Sequence, residues 1–462
     1  MMAFDLVIVG SGPGGYVAAI RAAQLGMRVA LVEEDSLGGV CLNWGCIPTK
    51  TILNAAEHFE ALREGGVPGV RAEGLSCDYG EVIDASRNAA ARLSRGVASL
   101  MKKNAIELLR GRGRLDGGPR VVVSSGDGEQ ALEAPNVLLA TGSTELILPG
   151  VEVDGQRVLT SREALEARER PDSLVVIGGG AVGLEFAYSY SAYGTQVTVV
   201  EMEDQLVPGL DREVAETLAH SFTRRGIRVA TRTSFKGVEV NDRGVVVTVE
   251  GEKGEEELSA DQMLLAVGRR ARTEELGLEE AGVHVERGFV ETQPDHRTSA
   301  AGIWAIGDLI GPPLLAHKAS EQGRAAVEFM AGRRKRPLDP NRVPACIYCQ
   351  PQVASVGLSE EQARAAGYDV RVGKIPFVAN GKAVGSGHTE GFVKIVSDAR
   401  YGEMLGGQAI GAGVTELIAE VTLAMTLEST VREVGETCHA HPTLSEVIME
   451  AALAAEGAAI HF

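Results

Sequence analysis

Aromatic side chains are scarce in this chain, at 4% of 462 residues, and its charge is one-sided, at a formal net −18. Binding to nucleic-acid phosphates needs a basic surface, so the charge excludes nucleic acid as a partner. The basic run Arg333-Arg334-Lys335-Arg336 is short, stops at Pro337 and reads as a solvated loop. No apolar run approaches the roughly 20 residues that cross a bilayer, so no membrane span is expected. The first strand-like stretch begins close to Met1, so no signal or transit segment is expected, and a cytoplasmic protein is expected, with a processed organellar one as the alternative. A low-complexity tail is missing too, as is a tethered lipoyl- or metal-binding module at either end.

Glycine is plentiful, at 57 residues, which together with the few aromatics suits an α/β protein with many tight turns. The length gives a prior of about three domains. Two stretches repeat one pattern. The first is Val7-Ile8-Val9-Gly10-Ser11-Gly12-Pro13-Gly14-Gly15, followed by an apolar run that ends at Glu33. The second is Val175-Val176-Ile177-Gly178-Gly179-Gly180-Ala181-Val182-Gly183, followed by Val197-Thr198-Val199-Val200 and Glu201. A lone G-x-G-x-x-G is weak evidence. Here each copy follows a strand-like run, opens a helix-like segment and has an acid at the end of the next strand, which is the dinucleotide fingerprint. Gly10, Gly12 and Gly15, like Gly178, Gly180 and Gly183, permit the tight turn and the approach to a pyrophosphate, which the helix N-terminus favours. Glu33 and Glu201 would each accept from a ribose hydroxyl. A carboxylate at Glu201 disfavours a 2′-phosphate, and no arginine follows before Arg212, so NAD is expected over NADP. The repeat extends to a closing strand, Val137-Leu138-Leu139-Ala140-Thr141-Gly142-Ser143 in one copy and Met263-Leu264-Leu265-Ala266-Val267-Gly268-Arg269 in the other.

Beside the first copy lies Gly38-Gly39-Val40-Cys41-Leu42-Asn43-Trp44-Gly45-Cys46-Ile47-Pro48-Thr49-Lys50. A structural disulfide across so short a loop would contribute only about 2 kcal/mol, and a metal site would need a second ligand pair. A redox pair is the third reading. Pro48 marks a helix start, which places Cys46 where the helix dipole favours a thiolate, and Lys50 adds positive charge on the same face. The remaining cysteines are Cys77, Cys346, Cys349 and Cys438; Cys346 and Cys349 lie in a strand-like stretch whose alternation separates them, and these two read as packed thiols.

Ile303-Trp304-Ala305-Ile306-Gly307-Asp308 puts a carboxylate at a strand's C-terminal end, where ligands of α/β sheets bind, with a ribityl or ribose hydroxyl as partner. A helix-like run from Ala316 to Met330 follows, and an amphipathic one is expected near Tyr79 to Leu109. Near the C-terminus, Cys438-His439-Ala440-His441-Pro442-Thr443-Leu444-Ser445-Glu446 offers either metal ligands or an acid–base pair. No further ligand cluster accompanies it, so no metal is expected, and thiol–disulfide exchange needs a base such as an imidazole. The domains expected are 1–145, 146–270, 271–338 and 339–462.

The cysteine segment and His439-Ala440-His441-Pro442-Thr443-Leu444-Ser445-Glu446, with both fingerprints, make the whole chain resemble the flavin-dependent pyridine nucleotide–disulfide oxidoreductases, most of all the members that oxidise dihydrolipoyl groups. The resemblance implies two Rossmann-like domains, a central domain completing the FAD site and a C-terminal α+β dimerisation domain. It implies FAD in the first site and NAD in the second. Cys41 would be the interchange thiol, Cys46 the thiol against the flavin, and Lys50 a flavin neighbour paired with Glu185. His441, oriented by Glu446, would be the base and come from the other subunit of a homodimer. Thr141, Gly142, Ser143 and Asp308 would line the FAD site, and Gly268 the NAD site. Lipoyl domains and the acyltransferase core of a 2-oxo acid dehydrogenase complex, or a glycine-cleavage system, would be the partners. One departure is Cys349-Gln350 before Pro351, where the family often has Thr-His. A glutathione-reductase-like enzyme is the nearest rival, disfavoured by Glu201. Mercuric and large thioredoxin reductases need a C-terminal thiol pair, which Ala458-Ala459-Ile460-His461-Phe462 does not supply. A flavin monooxygenase would not need Cys41 and Cys46, and a non-catalytic complex subunit would not need the intact set.

Overall fold

The computed structural model describes residues 4–462 apart from 64, 66 and 127. The chain divides into two compact units, one of Met1–Thr51, Glu81–Leu146 and Gly268–Leu338, the other of Ile52–Gly80, Ile147–Val267 and Asp339–Phe462.

The first unit is built on a parallel sheet. Its strands lie in the order Ile303–Ala305, Asn136–Leu139, Leu6–Val9, Val29–Glu33, Glu107–Arg110. Leu6-Val7-Ile8-Val9 is buried at every position, as a parallel strand covered on both faces must be. Helix Pro13–Gln24 starts at a proline, whose missing N–H has no partner to lose in a first turn. It meets helix Ala316–Met330 through glycines: a Cβ on Gly323 would come within 2.3 Å of the Gly14 carbonyl oxygen. An antiparallel excursion, Arg112–Leu115, Arg120–Ser125 and Gly128–Glu133, separates strands Glu107–Arg110 and Asn136–Leu139 in the chain.

The second unit repeats this plan. Its parallel sheet runs Arg228–Ala230, Gln196–Val200, Ser173–Ile177, Gln262–Leu265, Val158–Leu159. An antiparallel excursion of Ser234–Asn241, Gly244–Gly251 and Gly254–Ala260 again precedes the closing strand. The copies differ at one edge. The strand beside the closing strand comes late in the chain in the first sheet, Ile303–Ala305, and early in the second, Val158–Leu159. The second unit also holds a five-stranded antiparallel sheet, ordered Ala345–Ile347, Gln352–Gly357, Met404–Gly411, Phe392–Asp398, Val370–Pro376. Helix Glu446–Ala455 rests on it at backbone distance, since a Cβ on Gly373 would sit 1.8 Å from the Ala451 carbonyl oxygen.

Two local expectations shift. The amphipathic helix is Tyr79–Lys103 and stops before Leu109, because Glu107–Arg110 pairs with Val29–Glu33 as the sheet's edge. The basic run at 333–336 is more than a solvated loop: Arg334 pairs with Glu321 at 2.9 Å, its side chain only 17% exposed. Half-buried Glu321 and buried Glu328 of helix Ala316–Met330 supply the partners that spacing could not reveal.

Candidate active site

Each fingerprint glycine has a separate physical reason. A Cβ on Gly10 (φ +99°) would meet the Ala140 carbonyl oxygen at 2.4 Å, and one on Gly178 (φ +111°) the Ala266 oxygen, also at 2.4 Å. These two permit the turn beneath the closing strand. A Cβ on Gly15 would fall 1.8 Å from the Gly10 oxygen, and one on Gly183 2.1 Å from the Gly178 oxygen. These two let the helix approach the strand. Around Gly12 and Gly180 no atom lies within 4 Å of the Cβ position. That open face sits at the N-terminus of a helix in both copies, where a pyrophosphate is stabilised by unpaired N–H groups and the dipole. The residues present therefore fit a dinucleotide at both places.

The acids are buried and already held. Glu33 Oε2 accepts from the Ser11 N–H at 2.9 Å and the Ser11 hydroxyl at 2.6 Å, while Oε1 accepts from the Asp35 N–H at 2.8 Å. Glu201 Oε2 accepts from the Gly179 N–H at 2.7 Å, and Oε1 from the Glu203 N–H at 2.8 Å. The loop after each acid then returns to the fingerprint. Gly38 N–H donates to the Ser11 carbonyl at 3.1 Å, and Val207 N–H to the Gly179 carbonyl at 2.9 Å.

In the first unit the returning loop carries the thiols. Gly38 (φ +92°) and Gly39 (φ +60°) hold it close, since a Cβ on Gly39 would come 2.8 Å from Gly12 Cα. Helix Gly39–Trp44 bears Cys41, and helix Cys46–Arg63 begins at Cys46. The two cysteines form a disulfide with their Cα atoms 4.8 Å apart. Gly45 makes the break between the helices; a Cβ there would be 3.1 Å from the Val40 oxygen. Helix Tyr79–Lys103 braces the loop: Arg87 donates to the Asn43 carbonyl at 2.5 Å and Ser94 to the Leu37 carbonyl at 2.9 Å. Asn43 closes the turn by donating to the Leu37 and Gly39 carbonyls at 3.0 and 2.9 Å. Sequence reasoning passed over Ser11, Asn43 and Arg87; only the paired Gly38-Gly39 hinted at so close an approach.

Ser143 and Asp308 meet in the first unit, the Ser143 hydroxyl donating to Asp308 Oδ2 at 2.5 Å. Arg269 locks that corner through Ser143 Oγ at 2.8 Å and Glu145 at 2.8 Å. Thr141 donates to the Arg272 carbonyl at 3.0 Å, and Gly142 (φ +71°) and Gly268 (φ +126°) stand in open space. Lys318, unnoticed in the sequence, is buried and donates to the Gly311 carbonyl at 2.5 Å. Burial pulls its ammonium down in pKa, against the Asp308 carboxylate.

In the second unit, Glu185 is buried and accepts from the Tyr348 N–H at 3.0 Å. His441 Nδ1 lies 2.9 Å from Glu446 Oε1, and Glu446 Oε2 accepts from the Thr443 N–H at 2.8 Å. The Thr443 N–H is the main reason the Glu446 carboxyl sits below its ordinary pKa; slight burial opposes, and His441 adds to the lowering. The His441 side chain is 76% exposed, so its Nε2 faces outward. His439 is engaged elsewhere, 2.6 Å from Glu420 and 2.8 Å from the Thr437 carbonyl. No grouping of His, Cys, Asp and Glu able to hold a metal occurs among the described residues. Nor is any described helix long and apolar enough to cross a membrane. Cys346 and Cys349 take no part in the disulfide; Cys349 is fully buried and lies 3.4 Å from the Pro351 carbonyl.

The sequence profile of the pyridine nucleotide-disulphide oxidoreductases matches residues 4–323, and that of their dimerisation domain matches residues 343–452. The dihydrolipoyl dehydrogenase of Zymomonas mobilis is 45% identical, over 99% of this chain and 99% of its own length. That of Chlorobaculum tepidum is 47% identical over 97% and 96%. Among solved structures, LpdA of Mycobacterium tuberculosis superposes with a TM-score of 0.91 at 31% identity, covering 98% of this chain and 99% of its own. The HOCl-induced flavoprotein disulfide reductase RclA of Escherichia coli, in its Cu(II) complex, gives 0.87 at 26% over 98% and 99%.

Proposed function

Because this chain belongs to the pyridine nucleotide-disulphide oxidoreductase family, we propose that it oxidises protein-bound dihydrolipoyl groups to lipoyl with reduction of NAD. The observation that carries this is the Cys41–Cys46 disulfide at a helix start, on a loop closed over the first fingerprint. The enzyme is a dihydrolipoyl dehydrogenase in activity, and its cofactors are FAD and NAD. We assign Gly10, Gly12, Gly15, Glu33, Lys50, Thr141, Gly142, Ser143 and Asp308 to FAD. Gly178, Gly180, Gly183, Glu201 and Gly268 go to NAD, and Glu185 to the support of Lys50. Residues 1–145 are the FAD domain with the redox helix, 146–270 the NAD domain, 271–338 the central segment, and 339–462 the interface domain. The dimerisation domain supports a homodimer, in which we assign His441 to the disulfide of the other copy. Lipoyl domains and the acyltransferase core of a 2-oxo acid dehydrogenase complex are the proposed partners, in the cytoplasm.

The chemistry of the side chains follows from their bonds. Glu446, held ionised, accepts a hydrogen bond from the Nδ1–H of His441, which leaves Nε2 as the base. His441 removes a proton from one dihydrolipoyl thiol. The thiolate attacks Cys41 Sγ, the Cys41–Cys46 bond breaks, and Cys46 leaves as a thiolate favoured by the helix dipole. His441 passes that proton to Cys41 Sγ and takes the proton of the second substrate thiol, which attacks the first substrate sulfur, so that oxidised lipoyl departs and leaves Cys41 as a thiol and Cys46 as a thiolate. Cys46 would face the bound FAD, which would supply the route for the electron pair of the reduced cysteines to reach NAD as hydride.

Anaerobic titration of the FAD-loaded enzyme with dihydrolipoamide tests this reading. A long-wavelength thiolate–flavin band is expected; its failure to develop would reject the mechanism.

A further inference from the structure

The loop from Met202 to Asp211 is held against the second fingerprint through Leu206 and Val207. Val207, a β-branched residue, sits at φ +48°, a conformation that costs energy and persists only where surroundings enforce it. Its N–H reaches the Gly179 carbonyl at 2.9 Å. Leu206, fully buried, fills the place a Gly179 side chain would take: a Cβ there would lie 2.8 Å from Leu206 Cδ2. The far end of the loop is Asp211, which caps helix Arg212–Arg224 by accepting from the Glu213 N–H at 3.1 Å.

Asp211 is fixed in turn from another sheet. Lys394, in strand Phe392–Asp398, is 2% exposed and places Nζ 3.0 Å from both carboxylate oxygens of Asp211. The same ammonium pairs with Glu213, which Lys374 also holds at 2.7 Å. Burial disfavours the Lys394 charge, but its carboxylate partners outweigh that and raise its pKa. A buried ion with both partners in place is rigid, whereas removing one leaves the others uncompensated. Without Lys394 the buried Asp211 carboxylate has lost its counter-ion, while the exposed Glu213 keeps Lys374, and the loop's anchor is lost.

We propose that Lys394 is a positioning residue for the nicotinamide-nucleotide site, acting through Asp211 and the 202–211 loop on Gly179 and Glu201. The proposal rests on the reading of Gly178 to Glu201 as the NAD site. It assigns to the antiparallel sheet a role in coenzyme affinity separate from any role between subunits.

The test uses the FAD-loaded enzyme. NAD binding is measured by calorimetry, and reduction by dihydrolipoamide without NAD by rapid mixing. Lys394→Met should weaken NAD binding and raise the KM for NAD by about tenfold, within what a misplaced binding element costs. The rate of reduction by dihydrolipoamide should stay at its wild-type value, and Lys394→Arg should recover most of the NAD affinity. An unchanged NAD affinity, or equal loss in both half-reactions, would overturn the proposal. If Lys394→Met does not fold, Asp211→Asn keeps a capping oxygen and removes the ion pair of residue 211 with Lys394, leaving Lys394 with Glu213. It should show the same split, and normal NAD affinity in it would be equally decisive. Wild-type enzyme that bound no NAD would instead reject the site reading itself.

Discussion

The two dinucleotide units part company after their acids. In both, the loop beyond the carboxylate returns to the residue following the first glycine, at 3.1 Å for Gly38 to Ser11 and 2.9 Å for Val207 to Gly179. In the first unit that loop turns into the helix pair bearing Cys41 and Cys46, braced by Arg87 and Ser94. In the second it turns into a helix capped by Asp211 and tethered by buried Lys394. One copy has placed a disulfide beside its fingerprint; the other has only fastened its loop to the fingerprint. Ser11 against Gly179 is the matching local change. Ser11 adds a hydroxyl bond to Glu33, whereas a side chain on Gly179 would strike Leu206 and Glu201. A repeated fold thus diverges through one loop, above four strands that keep the same order in both sheets.

The largest effect that separates the copies should come from His441→Gln. General-base removal slows a proton-transfer step by roughly 10²- to 10⁴-fold, so dihydrolipoamide oxidation should fall by about that much. Electron transfer from NADH to an artificial dye acceptor uses the second unit's coenzyme site and needs no thiol deprotonation, so it should stay near the wild-type rate. Equal slowing of both assays would remove the role given to His441.

A smaller but sharper contrast lies in the third glycines. Gly15→Ala puts a methyl 1.8 Å from the Gly10 oxygen, and Gly183→Ala one 2.1 Å from the Gly178 oxygen. Neither clash is with the end of a flexible side chain, so about 3 kcal/mol or more of strain is expected in each. Gly15→Ala should purify with little FAD. Gly183→Ala should keep its FAD and lose NAD affinity. Flavin content and NAD calorimetry on both variants decide whether the two sites have been assigned the right way round.

The sequence carried the fingerprints, the acids, the thiol pair and the His441–Glu446 spacing, because each is set by local turn, cap or helix geometry. It also carried the duplicated plan as far as the closing strands. It could not carry the contacts that make the loops rigid. Lys394 and Asp211 are 183 positions apart, and neither strand alternation nor a helix start foretells that they meet. Arg87 and Ser94 looked like ordinary polar positions of an amphipathic helix, yet they face backbone carbonyls of the cysteine loop. Ser143 was read as a cofactor contact, and in the structure its hydroxyl is bonded to Asp308. His296 gave no signal at all, being one polar residue in a turn.

That histidine distinguishes the outer edges of the two parallel sheets. Strand Ile303–Ala305 is tied back by the Ala305 N–H donating to the His296 carbonyl at 3.1 Å. The His296 imidazole is buried, and neither ring nitrogen has a hydrogen-bond partner among the described residues. Burial pushes its pKa from 6.5 down to about 4; Arg334 and Lys318 add to the fall, while Asp295 and Glu321 oppose it. At the matching edge of the second sheet, Asp154 Oδ1 accepts from the N–H groups of Gln156, Arg157 and Val158 at 2.8, 2.7 and 2.9 Å. Burial works against that carboxylate, but the backbone donors outweigh it and lower its pKa. Both groups bind protons more weakly when folded, so both favour the fold at higher pH, in different windows. His296 begins to cost stability as pH falls below 6.5, about 2 kcal/mol by pH 5, whereas Asp154 loses its contribution only below the ordinary carboxylate pKa of about 4. Mild acid should therefore loosen the edge of the first sheet first. Between pH 7 and 5, thermal unfolding followed by flavin release should shift downward in the wild type and much less in His296→Leu, while Asp154→Asn should leave the pH slope in that window unchanged. A slope in that window that survives His296→Leu would place the acid-sensitive group elsewhere.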